Sequence, residues 1–185
     1  PKERMQVYFI DNDEYFKRKA IFSDEDDQLF SDNDERAIFF AKGVVETVKK
    51  LNWAPDIIHV HGWMASLLPL YIKEYYSDEP LFSESKIITS VYNKDFEGEL
   101  NKDLAEKIKF DKISDDKIQV LQEPNYTNII KSAVSNSDAI VQGSQEIPKE
   151  ISEEIEKTDI PALTYQEEDS FESYLNFYKE LISEE

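Results

Sequence analysis

The chain has 185 residues with 40 acidic and 21 basic side chains, which give it a formal net charge of −19. This length predicts one domain with a core of adequate size. The charge argues against nucleic acid and membranes as partners, because phosphate recognition needs clustered lysine and arginine. The chain contains no cysteine, so disulfides and thiolate chemistry are excluded and a cytoplasmic location is expected.

The N-terminal part predicts a strand followed, after an irregular acidic stretch, by a long helix. Residues 5–10 are rich in β-forming side chains and end at a turn signal, which is typical of a strand. Because this strand would start with almost no lead-in, we expect that sequence precedes residue 1 in the full-length protein. Apolar residues at helical spacing predict a helix over 33–51, with Asp32 or Asn33 as its cap.

The middle of the chain alternates short apolar segments with helical patterns. Strands of the buried parallel type are predicted at 56–60, 86–91 and 138–141. Helices are predicted at 63–76, 125–136 and 145–157, with short helices within 94–123. This alternation predicts βαβ units and hence a three-layer, Rossmann-like α/β domain with a parallel sheet, covering residues 1–160.

Residues 161–185 have a different character and predict a C-terminal tail helix that packs on the same domain. The helix is expected over 167–181, with one apolar face formed by Phe171, Tyr174, Leu175, Tyr178 and Leu181. We interpret this face as core packing, because aromatic residues at helical spacing more often fill a core than bind a ligand.

Polar residues follow two of the predicted strands at their C-terminal ends, where ligands bind in open α/β sheets. His59 and His61 are the only histidines, and in a strand they face the same side. They could form part of a metal pair with aspartates, but two ligands do not make a site. We therefore favour polar residues satisfied by the protein, and predict no metal.

The sequence also predicts no cofactor and no membrane contact. The chain has four glycines and no glycine-rich loop that could cradle a phosphate. No apolar run approaches the ~18 residues that a membrane-spanning helix needs.

The order of the motifs resembles the N-terminal catalytic-domain half of bacterial glycogen synthases and plant starch synthases. The segment PDIIHVHGW at 55–63 resembles the family's Pro-Asp-hydrophobic-His-x-His-Asp-Trp, and SVYN at 90–93 resembles its Thr-hydrophobic-His-Asn. Further similarities lie at 7–18, 31–39 and 131–141, and the resemblance covers about residues 5–155. It implies the N-terminal half of a GT-B fold and the transfer of glucose from ADP-glucose to an α-1,4-glucan.

The departures from the family pattern imply a truncated, degenerate member. Gly62 and Tyr92 stand where the family has an aspartate and a histidine around the donor glucose, and Met64 replaces another histidine. The family's Lys-x-Gly-Gly-Leu loop and its nucleotide-binding second domain are not in this chain, and the tail helix resembles the family's last helix. We therefore expect no catalytic residues and no glucose transfer by the chain alone.

Three functions remain open at this point. The chain could bind an α-glucan or malto-oligosaccharide, or regulate a glycogen-metabolism protein. It could be half of a split glycosyltransferase that a partner chain completes. It could also be a structural or interaction domain without sugar contact. For the first function we expect His61, Trp63, Tyr92 and Asn93 to bind a sugar; the alternative is that Trp63 and Tyr92 simply pack together and fill the cleft.

Overall fold

The computed structural model describes residues 5–167 and 170–183. At its centre is a 4-stranded sheet whose strands lie in chain order, and every neighbouring pair is parallel. The strands are β1 (Ile57–His61), β2 (Lys86–Val91), β3 (Ala139–Gln142) and β4 (Ala162–Leu163). The predicted Rossmann-like α/β architecture with a parallel sheet is confirmed.

Helices precede, connect and follow the strands. The α-helices are α1 (Asp13–Phe16), α2 (Asn33–Leu51), α3 (Leu68–Leu70), α4 (Leu104–Phe110), α5 (Asp115–Ile118), α6 (Tyr126–Ser135), α7 (Lys149–Glu156) and α8 (Phe171–Ser183). Single turns of 3₁₀-helix lie at Trp63–Ala65, Pro80–Phe82 and Gln119–Gln122, and a π-helix at Tyr71–Tyr75. In the part of the chain that the structure describes, no helix has the length and apolar character needed to cross a membrane.

Helix α2 coincides with the helix predicted from apolar spacing. Acidic residues Asp34 and Glu35 lie in its first turn and Lys49 and Lys50 in its last, which favours the helix dipole at both ends. The helix ends at Asn52, whose φ of 49° is left-handed and whose N–H donates to the Lys49 carbonyl. Its buried apolar residues Ala37, Ala41 and Val45 belong to the larger hydrophobic core.

The strands divide their apolar side chains between the two faces of the sheet, as a period of two requires. Ile87 belongs to a large core that includes residues of α2, α4 and α6. Ile88 and Val141 belong to a second cluster, with Phe177 and Leu181 of α8. The sheet therefore lies between a layer of helices on one face and α8 on the other, which makes three layers.

The strand predicted at residues 5–10 is wrong. These residues form no strand, and the side chains of Met5 and Phe9 are each 88% exposed. A β-forming sequence gains stability only by pairing with a neighbouring strand and covering a core. Within the described residues this segment has no such pairing, and Ile10 instead lies against Gly43 of α2.

The prediction of one regular α-helix over 63–76 is wrong. The segment is helical in three short pieces, a 3₁₀ turn, α3 and a π-helix. Pro69 has no N–H and therefore cannot donate an i→i−4 bond, which interrupts a continuous α-helix. The segment still buries Leu67, Leu70 and Tyr71 in the core.

The face predicted for the tail helix is partly wrong. Phe171 and Leu175 are 79% and 51% exposed, whereas Phe177 is buried together with Leu181. Tyr174 and Tyr178 pack against the same cluster, so the observed face is turned toward Phe177. The two-residue strand β4 lies outside the sequence-based predictions, because a strand that short has no detectable periodicity.

Candidate functional site

The C-terminal ends of β1, β2 and β3 lie side by side and bring together three of the four residues that the sequence predicted to bind a sugar. The register of the parallel pair places His61 of β1 opposite Ser90 of β2, two residues before Tyr92. Asn93 follows on β2, and its backbone N–H donates to Ser144 Oγ at 3.1 Å, just beyond β3. We refer to His61, Tyr92 and Asn93 as the edge site.

The two histidines lie next to each other, with their ring centroids 4.1 Å apart. His59 Nδ1 is hydrogen-bonded to the Tyr178 hydroxyl at 2.6 Å, and His59 Nε2 to Ser90 Oγ at 2.8 Å. Burial lowers the pKa of His59 to about 4, and the neighbouring His61 contributes to the same shift. Both ring nitrogens of His59 are thus used within the protein, as the interpretation of satisfied polar residues requires.

His61 lies at the surface of the edge site. His61 Nδ1 is hydrogen-bonded to the Tyr92 hydroxyl at 2.7 Å, which leaves Nε2 as the ring nitrogen that can hydrogen-bond to a ligand. Surrounding protein lowers the pKa of His61 although the residue is exposed, and burial raises the pKa of the Tyr92 phenol. At neutral pH both groups are therefore uncharged.

Trp63 lies in the core below the edge site and not in a cleft. Its side chain is 1% exposed, and its ring packs against Phe22 and Phe96 at centroid distances of 4.8 and 5.1 Å. The indole Nε1 has no hydrogen-bond partner within the described residues. The buried ring offers no face on which a sugar could stack. The alternative in which Trp63 and Tyr92 pack together and fill the cleft is not observed either, because the aromatic neighbours of Trp63 are Phe22 and Phe96.

Gly62 has a backbone conformation that is nearly restricted to glycine. Its φ of 74° and ψ of 158° lie where a Cβ is strained by its own backbone. An added Cβ would nevertheless meet no atom within 4 Å, so the space above Gly62 is open. An aspartate here, as the resemblance implies for the family, would be opposed by backbone strain and not by lack of room.

Two residues of this region were outside the sequence-based site. Tyr178 of α8 supports His59 across a sequence separation of 119 residues. Gly143 follows β3, and a Cβ on it would stand 2.5 Å from Cε1 of Tyr92. The position of Gly143 directly after the third strand, like Gly62 after the first, is the sequence signal that could have identified it.

The groups of the edge site suit a neutral ligand. Lys94 lies next to Asn93, but its ammonium is paired with Glu97 at 2.5 Å. Among residues 5–167 and 170–183, no group of three or more histidine, aspartate or glutamate side chains is placed to hold a metal. The site can therefore donate and accept hydrogen bonds, and the lysine beside it in the described chain, Lys94, is already paired and not directed at a pyrophosphate leaving group.

The relationship to known proteins agrees with the motifs. The family model described as the starch synthase catalytic domain matches residues 1–163. A glycogen synthase of Chlorobium luteolum is 35% identical over 148 residues, which cover 78% of this chain and 29% of the relative. A glycogen synthase of Chlorobium limicola is 44% identical over 94 residues, which cover 50% of this chain and 19% of the relative.

A third glycogen synthase, from Chlorobaculum parvum, is 32% identical over 161 residues, covering 85% of this chain and 32% of the relative. The chain thus spans about a third or less of the length of these relatives. Since the family match extends over most of the chain and carries the parallel sheet and its edge, the chain belongs to the starch synthase catalytic domain family.

Proposed function

We propose that this chain is a glucan-binding, non-catalytic domain that corresponds to the N-terminal half of a GT-B glycosyltransferase. In this proposal a neutral malto-oligosaccharide binds at the edge site. The observation that carries the proposal is the exposed His61 imidazole, which is oriented by a hydrogen bond to the Tyr92 hydroxyl at 2.7 Å and whose pKa is lowered by the surrounding protein. The absence of cysteine supports a reducing, cytoplasmic location for this role.

The hydrogen-bonding groups at the edge match the hydroxyls of a sugar. His61 Nε2 can donate to or accept from a hydroxyl, according to the tautomer, and the Asn93 side chain has an NH₂ donor beside an oxygen that accepts from the Lys94 N–H at 2.8 Å. The open space above Gly62 leaves room for a ring where an acidic side chain is absent. Few such contacts with an exposed surface support weak binding, for which a dissociation constant of about 1 mM corresponds to about −4 kcal/mol.

The same features argue against glucose transfer by the chain alone. Departure of a nucleoside diphosphate needs cationic stabilisation of the developing charge. Lys94, which follows Asn93, is paired with Glu97, and both edge-site rings are uncharged at neutral pH. The split-enzyme alternative would need a partner chain to provide all of this stabilisation.

Two measurements on the purified chain test the proposal. Titration with maltotriose, followed by NMR, should shift the signals of His61 and Asn93 at millimolar sugar. His61→Ala and Asn93→Ala should each weaken binding, whereas Asn176→Ala, an exposed asparagine of α8, should not. Radiolabelled ADP-glucose with glycogen as acceptor should give no labelled glucan.

Each possible result bears on the proposal. Unchanged signals for His61 and Asn93 at saturating sugar would remove the binding role and favour a structural or interaction domain. Glucan elongation by the chain alone would disprove the non-catalytic role. Elongation that appears only after a partner chain is added would favour the split enzyme.

A further inference from the structure

A cavity of about 710 Å³ opens between the C-terminal end of β3 and the first half of α8. Its apolar walls are formed by Gly143, Tyr165, Phe171, Tyr174, Leu175 and Tyr178. This volume lies within the range of about 300–1,000 Å³ that is typical of small-molecule sites.

The cavity lies next to the edge site, because two of its lining residues, Gly143 and Tyr178, contact Tyr92 and His59. Gly143 lines the cavity and also touches the Tyr92 ring, since a Cβ there would stand 2.5 Å from Cε1. Tyr178 lines the cavity while its hydroxyl is hydrogen-bonded to His59, whose ring centroid lies 4.1 Å from that of His61. A chain-like ligand at the edge site could therefore continue into the cavity.

The walls combine exposed apolar surface with polar tips. Phe171, Leu175 and Tyr165 are 79%, 51% and 40% exposed, although neighbouring residues of α8 are buried. Apolar residues that remain exposed next to each other mark binding surfaces more often than isolated ones do. Tyrosine and phenylalanine rings offer flat faces on which the C–H face of a pyranose can pack.

The charges around the cavity select against an anionic ligand. Glu167 and Glu172 contribute carboxylates, and no lysine or arginine is among the lining residues within the described ranges. Carboxylates repel phosphate groups but accept hydrogen bonds from sugar hydroxyls. The combination of aromatic faces and carboxylate acceptors fits a neutral polyhydroxyl ligand.

We propose that this cavity is a second glucan subsite, built by the tail helix, that binds further glucose units of an α-1,4-linked chain extending from the edge site. The proposal rests on the proposed glucan-binding function and deepens it. It assigns the exposed rings of Tyr165 and Phe171 a role as stacking platforms, and it predicts that affinity grows with the length of the oligosaccharide.

Calorimetric or NMR titration with maltose, maltotriose and maltoheptaose tests this extension. Maltoheptaose should bind the unmodified chain about tenfold more tightly than maltose, since tenfold corresponds to about 1.4 kcal/mol, the scale of one aromatic contact. Phe171→Ala and Tyr165→Ala should each remove most of this gain and leave maltose binding unchanged. Both side chains are exposed, so these variants should remain folded.

Phe110→Ala is the matched control, because Phe110 is 88% exposed on α4 and does not line the cavity. If all lengths bind equally, or if the tail variants keep the gain, the second subsite is refuted while the edge site stands. If no oligosaccharide binds, both proposals fail. Choline and maltose can also be compared as competitors of maltoheptaose. If choline displaces maltoheptaose more strongly than maltose does, the aromatic walls are a cation site and the inference is overturned.

Discussion

The ring of Tyr92 lies directly against Gly143, where an added Cβ would stand 2.5 Å from Cε1 of the tyrosine. The two residues follow neighbouring strands, and the Gly143 N–H also donates to the Val91 carbonyl at 2.8 Å. A side chain at position 143 and the observed Tyr92 position exclude each other. The geometry of the edge site therefore depends on a glycine more than 50 residues away in sequence.

Gly143→Ala should displace Tyr92 and break its hydrogen bond to His61. Overpacking of this kind costs about 1–3 kcal/mol of unfolding free energy, and oligosaccharide binding should weaken with it. Denaturant unfolding and maltotriose titration measure the two effects. In a Tyr92→Ala background the same change should be nearly neutral, because no ring remains to be displaced. Equal costs in both backgrounds would contradict the role of the contact.

Tyr178→Phe should destabilise the packing of α8 on the sheet. The change removes the hydroxyl that is hydrogen-bonded to His59 Nδ1 at 2.6 Å and leaves a half-buried ring nitrogen without that partner. The expected loss is about 1–2 kcal/mol. Tyr174→Phe, on the same helix face, is the matched control and should change the unfolding free energy by much less. A similar loss in both variants would show that the hydrogen bond is not the cause.

The unfolding free energy should decrease as the pH is lowered, because His59 becomes protonated. Burial lowers its folded-state pKa from 6.5 to about 4, so the unfolded chain binds a proton more readily than the folded one. The neutral imidazole's contribution is complete above about pH 6.5 and is lost as the pH falls toward 4. We expect this contribution to the unfolding free energy to be about 1–2 kcal/mol, because solvent screens part of the ring.

The measurement is the difference in unfolding free energy between the unmodified chain and His59→Gln from pH 7.5 to 4.5. Subtraction removes the contribution of the carboxylates, which titrate in both proteins. The unmodified chain should lose its advantage as the pH falls. A pH-independent difference would show that His59 titrates normally in the folded chain.

Gly62→Asp should restore the acidic residue of the family without restoring function. The conformation of Gly62, with φ of 74° and ψ of 158°, is strained for any other residue by about 1–3 kcal/mol. Gly62→Ala should cost a similar amount, because the space around the Cβ is open and only the backbone matters. Unfolding curves of both variants and a glucose-transfer assay of Gly62→Asp provide the check. Unchanged unfolding free energy in both variants, or glucose transfer by the aspartate variant, would contradict this explanation.

Local patterns in the sequence determined the parallel sheet, the helix α2 and the family. Buried parallel strands are short continuous apolar runs, and α2 repeats apolar residues at helical spacing, so each is encoded within its own segment. The motifs around 55–63 and 90–93 lie at strand ends. This position was enough to predict that His61, Tyr92 and Asn93 lie at one edge of the sheet.

Only the tertiary structure decided how these residues are used. Trp63 is adjacent to the site in sequence but buried, because Phe22 and Phe96 pack on its ring. The support of His59 by Tyr178 likewise joins residues from distant segments. Residues 5–10 have strand-forming side chains but no strand to pair with in the described chain. Each of these outcomes depends on contacts between residues far apart in sequence, and a local pattern contains no information about such contacts.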